Sequence, residues 1–119
     1  MNYRLEINRP ERGSNIAFNT IIFDSFKINI VERYSGSMPS RLKLSHVLFK
    51  VRTLDDNIIE TKEGNGRVKI KGDEFETYQR ARRVLDSYEY KNKIINRKKV
   101  EEDYVHLILG LVIANYNLS

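Results

Sequence analysis

The residues of this chain whose spacing comes nearest to a catalytic motif lie in LDDNIIETK, residues 54–62. Asp55 and Asp56 precede Glu60, and Lys62 follows that glutamate by two positions. Two carboxylates can hold Mg²⁺ while a lysine orients an attacking water, which is the chemistry of a metal-dependent nuclease. Here the acids fall at almost the same end of one strand, whereas such sites usually take the first aspartate from another strand. A solvated turn followed by a charged strand is the favoured interpretation, and a small Mg²⁺-dependent nuclease is the least favoured function.

Other side chains that carry out catalysis are sparse. His46 and His106 are the only histidines, they form no His-x-His pair, and we interpret both as structural. The chain has no cysteine, which excludes disulfides, thiolate metal sites and cysteine nucleophiles. No glycine-rich phosphate loop follows a predicted strand, and no set of serine, histidine and aspartate stands out. We predict a protein that is not an enzyme and that uses neither a metal nor another cofactor.

Positive charge is concentrated in RARRVLDSYEYKNKIINRKK, residues 80–99, where eight Lys and Arg are balanced only by Asp86 and Glu89. The whole chain has a net charge of +5, and residues 100–119 contribute three acidic and no basic side chains. A local basic patch lowers the energy of a nearby polyanion and speeds its encounter. We predict that this segment binds nucleic acid or a partner protein, and a solvated helix face is the alternative. The predicted contacts are made by Arg80, Arg83, Tyr90, Lys91, Lys93, Arg97, Lys98 and Lys99.

A second basic segment is NIIETKEGNGRVKIKG. It predicts two short strands, about 57–62 and 67–71, joined by a tight hairpin turn at EGNG, since glycine takes the positive φ that such turns require. Four basic side chains then lie on one ribbon. Lysine on an exposed strand also blocks edge-to-edge aggregation, and this is the favoured interpretation of the ribbon. The four residues are Lys62, Arg67, Lys69 and Lys71, of which Arg67 and Lys69 belong to the predicted partner-binding set.

Strands that would position these residues are indicated by alternation of apolar and polar side chains. Residues 3–7 alternate in this way, and residues 16–34 predict one or two strands, with Phe26, Ile28 and Ile30 on one face. Residues 41–54 fit both a strand and a helix. Their β-branched and aromatic content, together with the strand-rich flanks, favours a strand.

Two helices are predicted to follow, at about 73–92 and 97–117. In the first, Asp73 caps the N-terminus, and one arc forms the core face while Arg82 lies close to its apolar edge. The second is apolar around most of its circumference, which predicts packing on several sides, in the core and in a homodimer. The predicted core residues of the first helix are Phe75, Tyr78, Ala81, Leu85 and Tyr88. Those of the second helix are Leu107, Ile108, Leu111 and Val112. The predicted dimer contact consists of Leu107 and Leu111, with Gly110 allowing close approach of another backbone.

The predicted fold class is α+β. An antiparallel sheet of four to six strands from residues 2–71 is covered on one face by the two helices, and the 119 residues form a single domain. The N-terminal residues have no apolar signal-peptide core, and no apolar run approaches the ~20 residues of a membrane helix. We therefore expect a cytoplasmic protein that does not engage membranes.

The predicted function is that of a small basic binding protein, acting as an accessory factor or regulator. Its partner is nucleic acid, either DNA or RNA, or a nucleic-acid-bound protein machine. The alternative is an inhibitor that docks on the acidic or nucleic-acid-binding surface of a nucleic-acid enzyme, where the basic residues provide specificity and steering.

Overall fold

A meander of antiparallel strands forms the N-terminal part of the chain, and two helices follow it. The computed structural model describes residues 2–36, 42–90 and 97–116, and in residues 88–90 it describes the backbone only. Within these ranges six strands form one sheet and both helices pack on the same face of it, so the predicted α+β fold is confirmed. The elements are β1 (Arg4–Glu6), β2 (Ile16–Ile22), β3 (Phe26–Ser35), β4 (Lys43–Thr53), β5 (Ile58–Ile59), β6 (Arg67–Ile70), α1 (Gly72–Tyr90) and α2 (Arg97–Asn115).

The long strand β4 organises the sheet. It pairs with β3 along one edge, and it confirms the strand prediction for residues 41–54. Val47, Phe49 and Val51 are buried while the residues between them are not, which is the two-residue period of a strand with one covered face. The helical alternative is wrong because strands on both sides of β4 bind its backbone groups.

The predicted hairpin at EGNG is wrong in its pairing. Both β5 and β6 pair with β4, one after the other along the same edge, with β5 beside Val51 and Arg52 and β6 beside residues 47–50. The turn between them uses Gly64, which has φ +88° and donates its N–H to the Thr61 carbonyl at 3.0 Å. A two-stranded ribbon is marginal by itself, whereas pairing with β4 buries Ile70 in the core and packs Ile59 and Val68 against it.

The hydrophobic core lies between one face of the sheet and the two helices. Strand residues from β2, β3, β4 and β6 meet the predicted core face of α1, on which Tyr78 and Leu85 are buried and Phe75 and Ala81 pack at the margin. Tyr88 was predicted on the same face, but its side chain lies outside the described residues. The buried core residues are Ile21, Phe23, Ile28, Ile30, Val47, Phe49, Val51, Ile70, Tyr78, Leu85, Tyr104, Val105, Ile108, Val112 and Tyr116.

Helix α2 is less deeply buried than predicted. Ile108 and Val112 are in the core, but Leu107 and Leu111 are only half-buried. Gly110 is exposed, and a Cβ added there would meet none of the described atoms within 4 Å, so within this chain it provides no close helix approach. The homodimer stays a prediction. In the described ranges neither helix combines the length and apolar character that crossing a membrane requires.

Candidate nucleic-acid interface

The sheet has one face covered by the helices and one face open. On β3, Ile28 and Ile30 are buried, and the residues that alternate with them point away from the helices. The strand register sets the neighbours on this open face. One row runs across five strands as Glu6, Thr20, Asn29, Lys50 and Arg67.

Six basic side chains share the open face of β3, β4 and β6, and we call them the basic sheet face. At the outward positions of these three strands, within residues 26–35, 46–53 and 67–70, there is no acidic side chain. On β1, which β2 separates from β3, the acidic residue Glu6 pairs with Arg4 at 3.3 Å. The basic sheet face consists of Lys27, Arg33, Lys50, Arg52, Arg67 and Lys69.

Two pairs of like charges lie directly opposite each other on this face. Lys27 on β3 is the register partner of Arg52 on β4, and Lys50 on β4 is the partner of Arg67 on β6. Like charges in such positions destabilise a sheet. A carboxylate or phosphate between them removes that cost.

Asp56 compensates the first pair. It lies in the turn after β4 with φ +68°, forms an ion pair with Lys27, and accepts a hydrogen bond from Arg52 Nη1 on its carbonyl oxygen at 3.3 Å. The hydrogen bond from Lys27 and its charge lower the pKa of the Asp56 carboxyl. This contact directs Asp56, one of the acids considered as a metal ligand, toward a cation. Among the residues described here, no three His, Asp or Glu side chains could together hold a metal ion.

The second pair has no such compensation. Lys50, Arg67 and Arg52 line one recess of about 230 Å³, together with Asn65, Gly66 and Ile58. Neither Lys50 nor Arg67 has a carboxylate within 4 Å among the residues that the structure describes. Three cations and an amide around one recess can hold an anionic oxygen group such as phosphate.

An exposed aromatic ring lies on the same open face of the sheet, on strand β2. Phe18 on β2 is 65% exposed, although it lies in the middle of a strand. It heads a row across the open face that continues through Val31 and Leu48 to Lys69. The face therefore combines cations with an apolar strip, which is the surface composition that binds phosphates and nucleobases together.

A larger cleft follows the outer edge of β6. It has a volume of about 850 Å³ and is lined by all four basic residues of the predicted ribbon, Lys62, Arg67, Lys69 and Lys71, with Glu63 and Glu74 among them. The end of α2 holds this edge in place, because Lys62 N–H donates to the Asn115 carbonyl at 3.0 Å. The structure thus brings Arg67 and Lys69 together with the sheet cations, by a different pairing from the predicted hairpin.

The predicted helical contacts are dispersed by comparison. Arg80 and Arg83 are exposed on α1, and Lys98 is exposed on α2. Two others are paired with acids one turn further along α2: Arg97 Nε lies 3.2 Å from Glu101, and Lys99 Nζ lies 2.9 Å from Asp103, which raises the pKa of Lys99. Lys91, Lys93 and the side chain of Tyr90 lie outside the described residues.

The charge excess lies in the sheet part of the chain. Residues 72–90 and 97–115, the two helices, contain six basic and eight acidic side chains. Residues 1–71 contain thirteen basic and eight acidic side chains. The sequence window 80–99 ends just before Glu101, Glu102 and Asp103. It therefore counts Arg97 and Lys99 but leaves out the acids that pair with them one turn later on α2.

A second cluster of charged residues is buried beneath α1. Glu32 on β3 is 0% exposed and Arg82 on α1 is 2% exposed, and Arg82 Nε donates to Glu32 Oε2 at 2.9 Å. Tyr78 also donates to Oε2, at 2.6 Å, and Asn19 and Tyr34 donate to Oε1 at 2.6 and 3.2 Å. All hydrogen-bonding sites of this carboxylate are thereby used.

The rest of Arg82 is also satisfied. Its Nη2 donates to the Asn8 carbonyl at 3.0 Å, and its Nη1 donates to Asp86 one turn later on α1. Burial lowers the pKa of the Arg82 guanidinium, but the charges of Glu32 and Asp86 outweigh it and hold that pKa above its ordinary value. The cluster joins the N-terminal segment, the sheet and α1. Since no described buried side-chain N or O atom lacks a partner, we interpret it as structural.

Sequence reasoning missed four residues of the basic sheet face, Lys27, Arg33, Lys50 and Arg52. Their signal is present in the alternation of β3 and β4, because each occupies a position opposite in phase to the buried apolar residues. The alternation does not indicate the register between the strands, and it is the register that places these side chains next to one another.

Comparisons of this chain with protein-family models, with curated proteins and with solved structures give no match, so its function is inferred from the geometry of its surfaces.

Proposed function

We propose that this protein is a non-enzymatic nucleic-acid-binding protein, acting as an accessory factor or regulator, whose basic sheet face holds phosphates. The observation that carries the proposal is the recess lined by Lys50, Arg52 and Arg67. Holding Lys50 directly opposite Arg67 costs folding free energy. The negative charge of a bound phosphate reduces the repulsion between the two cations and so offsets part of that cost.

The number of free cations predicts the salt dependence of binding. Five residues of the basic sheet face have no carboxylate within 4 Å in the described part of the chain, since only Lys27 is paired. If all five neutralise phosphates, log affinity falls against log salt with a slope of about −3.5 for a single strand and about −4.5 for B-DNA. Such contacts hold the backbone and carry little sequence preference. The five residues are Arg33, Lys50, Arg52, Arg67 and Lys69.

Two triple variants distinguish the sheet face from the helices. One changes Lys50, Arg67 and Lys69 to Gln, and its matched control changes the exposed helical residues Arg80, Arg83 and Lys98 to Gln. Each removes three positive charges, so the long-range field of the protein falls equally in both. We expect the sheet variant to lose most of its affinity for labelled oligonucleotides and to show a flatter salt slope, while the control keeps most of its affinity.

The affinities of the two variants show whether nucleic acid contacts the basic sheet face or the helices. Loss of affinity in the helical variant alone would place the contacts on the segment 80–99 and overturn the sheet-face proposal. Equal affinity of both variants and the unchanged protein would identify all these charges as solvated. Absence of binding to any DNA or RNA at low salt would exclude the function itself. Circular dichroism of all three proteins checks that each is folded.

A protein partner is the second candidate, and the cleft along β6 favours it. Within the described chain β6 pairs with β4 only, so its outer edge is open to an added strand, and four cations beside it complement an acidic peptide. A pull-down with and without nuclease treatment separates the two. A partner that persists after nuclease treatment, and that is lost in the sheet variant, supports docking on an acidic protein surface.

A further inference from the structure

We propose that the basic sheet face selects single-stranded nucleic acid over duplex and stacks one base on Phe18. This inference rests on the proposed function, and it assigns the form of nucleic acid and a base-contacting residue. It is carried by three observations: the width of the open face of the sheet, the exposed ring on β2, and the position of the ring relative to the phosphate recess.

The whole open face of the sheet, of which the basic sheet face is the part on β3, β4 and β6, is too wide for a groove of duplex DNA. The row from Glu6 to Arg67 crosses five strands, and neighbouring strands lie about 4.8 Å apart, so the row spans about 19 Å. The major groove of B-DNA is about 12 Å wide and accepts one helix or a two-stranded ribbon. A duplex can therefore meet this face only through its outer phosphates. A single strand can lie flat across it.

Phe18 fits a base that is free to stack. An exposed phenylalanine in the middle of a strand leaves apolar area in water that folding has not buried, and Phe18 has the largest exposed fraction among the large apolar side chains described. Bases in a duplex are stacked on each other, whereas bases of a single strand can be splayed onto an aromatic ring. Val31 and Leu48 extend an apolar strip beside the ring on the next two strands.

The ring and the recess lie within reach of one short strand of nucleic acid. Phe18 on β2 and Lys50 on β4 are separated by two strand spacings, about 10 Å, and by one outward position along the strands, about 7 Å. The direct separation is about 12 Å, a few nucleotides of an extended chain. Thr20 and Asn29 lie in the same row as Lys50, on β2 and β3, and their side chains carry hydrogen-bonding groups for base edges. The same oligonucleotide can thus place a base on Phe18 and a phosphate in the recess.

The test uses fluorescence anisotropy with a labelled twelve-residue oligothymidine and a twelve-base-pair duplex at the same salt concentration. We expect the single strand to bind at least about fivefold more tightly, since it alone offers a base to Phe18. Phe18→Ala should weaken single-strand binding by roughly 5- to 150-fold, the loss expected for one base stack, and leave duplex binding and the salt slope unchanged. Phe18→Tyr, which keeps a ring, should keep the affinity.

A matched control is Ile113→Ala, which removes a comparably exposed apolar side chain from α2 and should change neither affinity. Duplex binding as tight as single-strand binding, unchanged single-strand affinity in Phe18→Ala, or equal losses for both ligands would each overturn this inference. In those cases the proposed function still stands if the Lys50, Arg67 and Lys69 variant loses affinity. Binding of an acidic protein and of no oligonucleotide would overturn both.

Discussion

Arg82 is the residue at which a single change should cost the fold most. Arg82→Met keeps the length of the side chain but leaves Glu32 buried without its cation. Removing one partner of a buried ion pair typically costs about 3–5 kcal/mol of unfolding free energy. We expect a loss of that size in urea unfolding, and a partial recovery when Glu32→Met is added, because the second change removes the unpaired charge.

Arg83 provides the control for this prediction. It is the next residue on α1, it is exposed, and Arg83→Met should change the free energy of unfolding by no more than about 0.5 kcal/mol. If Arg82→Met costs no more than Arg83→Met, the buried pair does not stabilise the protein, and the interpretation of the cluster as structural is wrong.

The sequence indicated the positions of these two residues but neither their burial nor their pairing. Glu32 continues the core-facing alternation of Ile28 and Ile30, and Arg82 was predicted close to the apolar edge of α1, whereas the structure buries both side chains. A charged residue at a core position requires a partner. Fifty residues separate the two along the chain, and nothing local to either one identifies the other. The open-face cations were missed for the same reason, since their proximity depends on register.

Helix α2 offers two isoleucines in opposite environments for a test of packing. Ile108 is 0% exposed and Ile113 is 58% exposed. Ile108→Ala should lower the free energy of unfolding by about 2–5 kcal/mol, because it removes transfer free energy and leaves a cavity, whereas Ile113→Ala should stay within about 0.5 kcal/mol. Chemical denaturation of both variants measures the difference. A large loss in Ile113→Ala that depends on protein concentration would instead show that this exposed side is covered by a second copy.

Periodicity predicted the elements better than their partners. The helix ends agree with the prediction within about two residues. Within the ambiguous segment 41–54, Lys43–Thr53 form a strand because β3 and β6 supply hydrogen bonds to it, which is a property of the sheet and not of the segment. The EGNG turn predicted from local chemistry alone that the two strands beside it pair with each other. In the structure β5 and β6 both pair with β4, whose eleven residues are long enough for both, and no local pattern at the turn indicates that length.

At the scale of the whole molecule, the two layers differ in charge. The two helices contain two more acidic than basic side chains. Residues 1–71, which form the sheet part, contain five more basic than acidic side chains. A window of consecutive residues measures charge along the chain, whereas a partner meets charge across a surface. In β3 and β4 the surface cations alternate along the sequence with buried apolar residues. A basic surface can therefore form without a continuous run of basic residues in the sequence.

Three buried tyrosines from different parts of the fold predict how the whole molecule responds to alkali. Burial raises the pKa of Tyr116 to about 12, and burial with nearby charge also raises the pKa values of Tyr78 and Tyr104. In the unfolded chain each tyrosine loses its proton near pH 10. Above that pH the unfolded state binds fewer protons than the folded state, so the free energy of unfolding falls as pH rises. It is unaffected by these groups below pH 10.

The expected decrease is about 1.4 kcal/mol per pH unit for Tyr116 between pH 10 and its folded pKa of about 12, and the raised pKa values of Tyr78 and Tyr104 make the decrease steeper. Since the three rings lie in one core, we expect a single transition in which tyrosinate absorbance and far-ultraviolet circular dichroism change together. Tyr116→Phe, which keeps the ring and removes the hydroxyl, should reduce the slope by one tyrosine. It also removes a 2.9 Å hydrogen bond to the Phe49 carbonyl, so its stability at neutral pH must be measured first. Ionisation of these tyrosines near pH 10 in a chain that stays folded would show that water reaches the core.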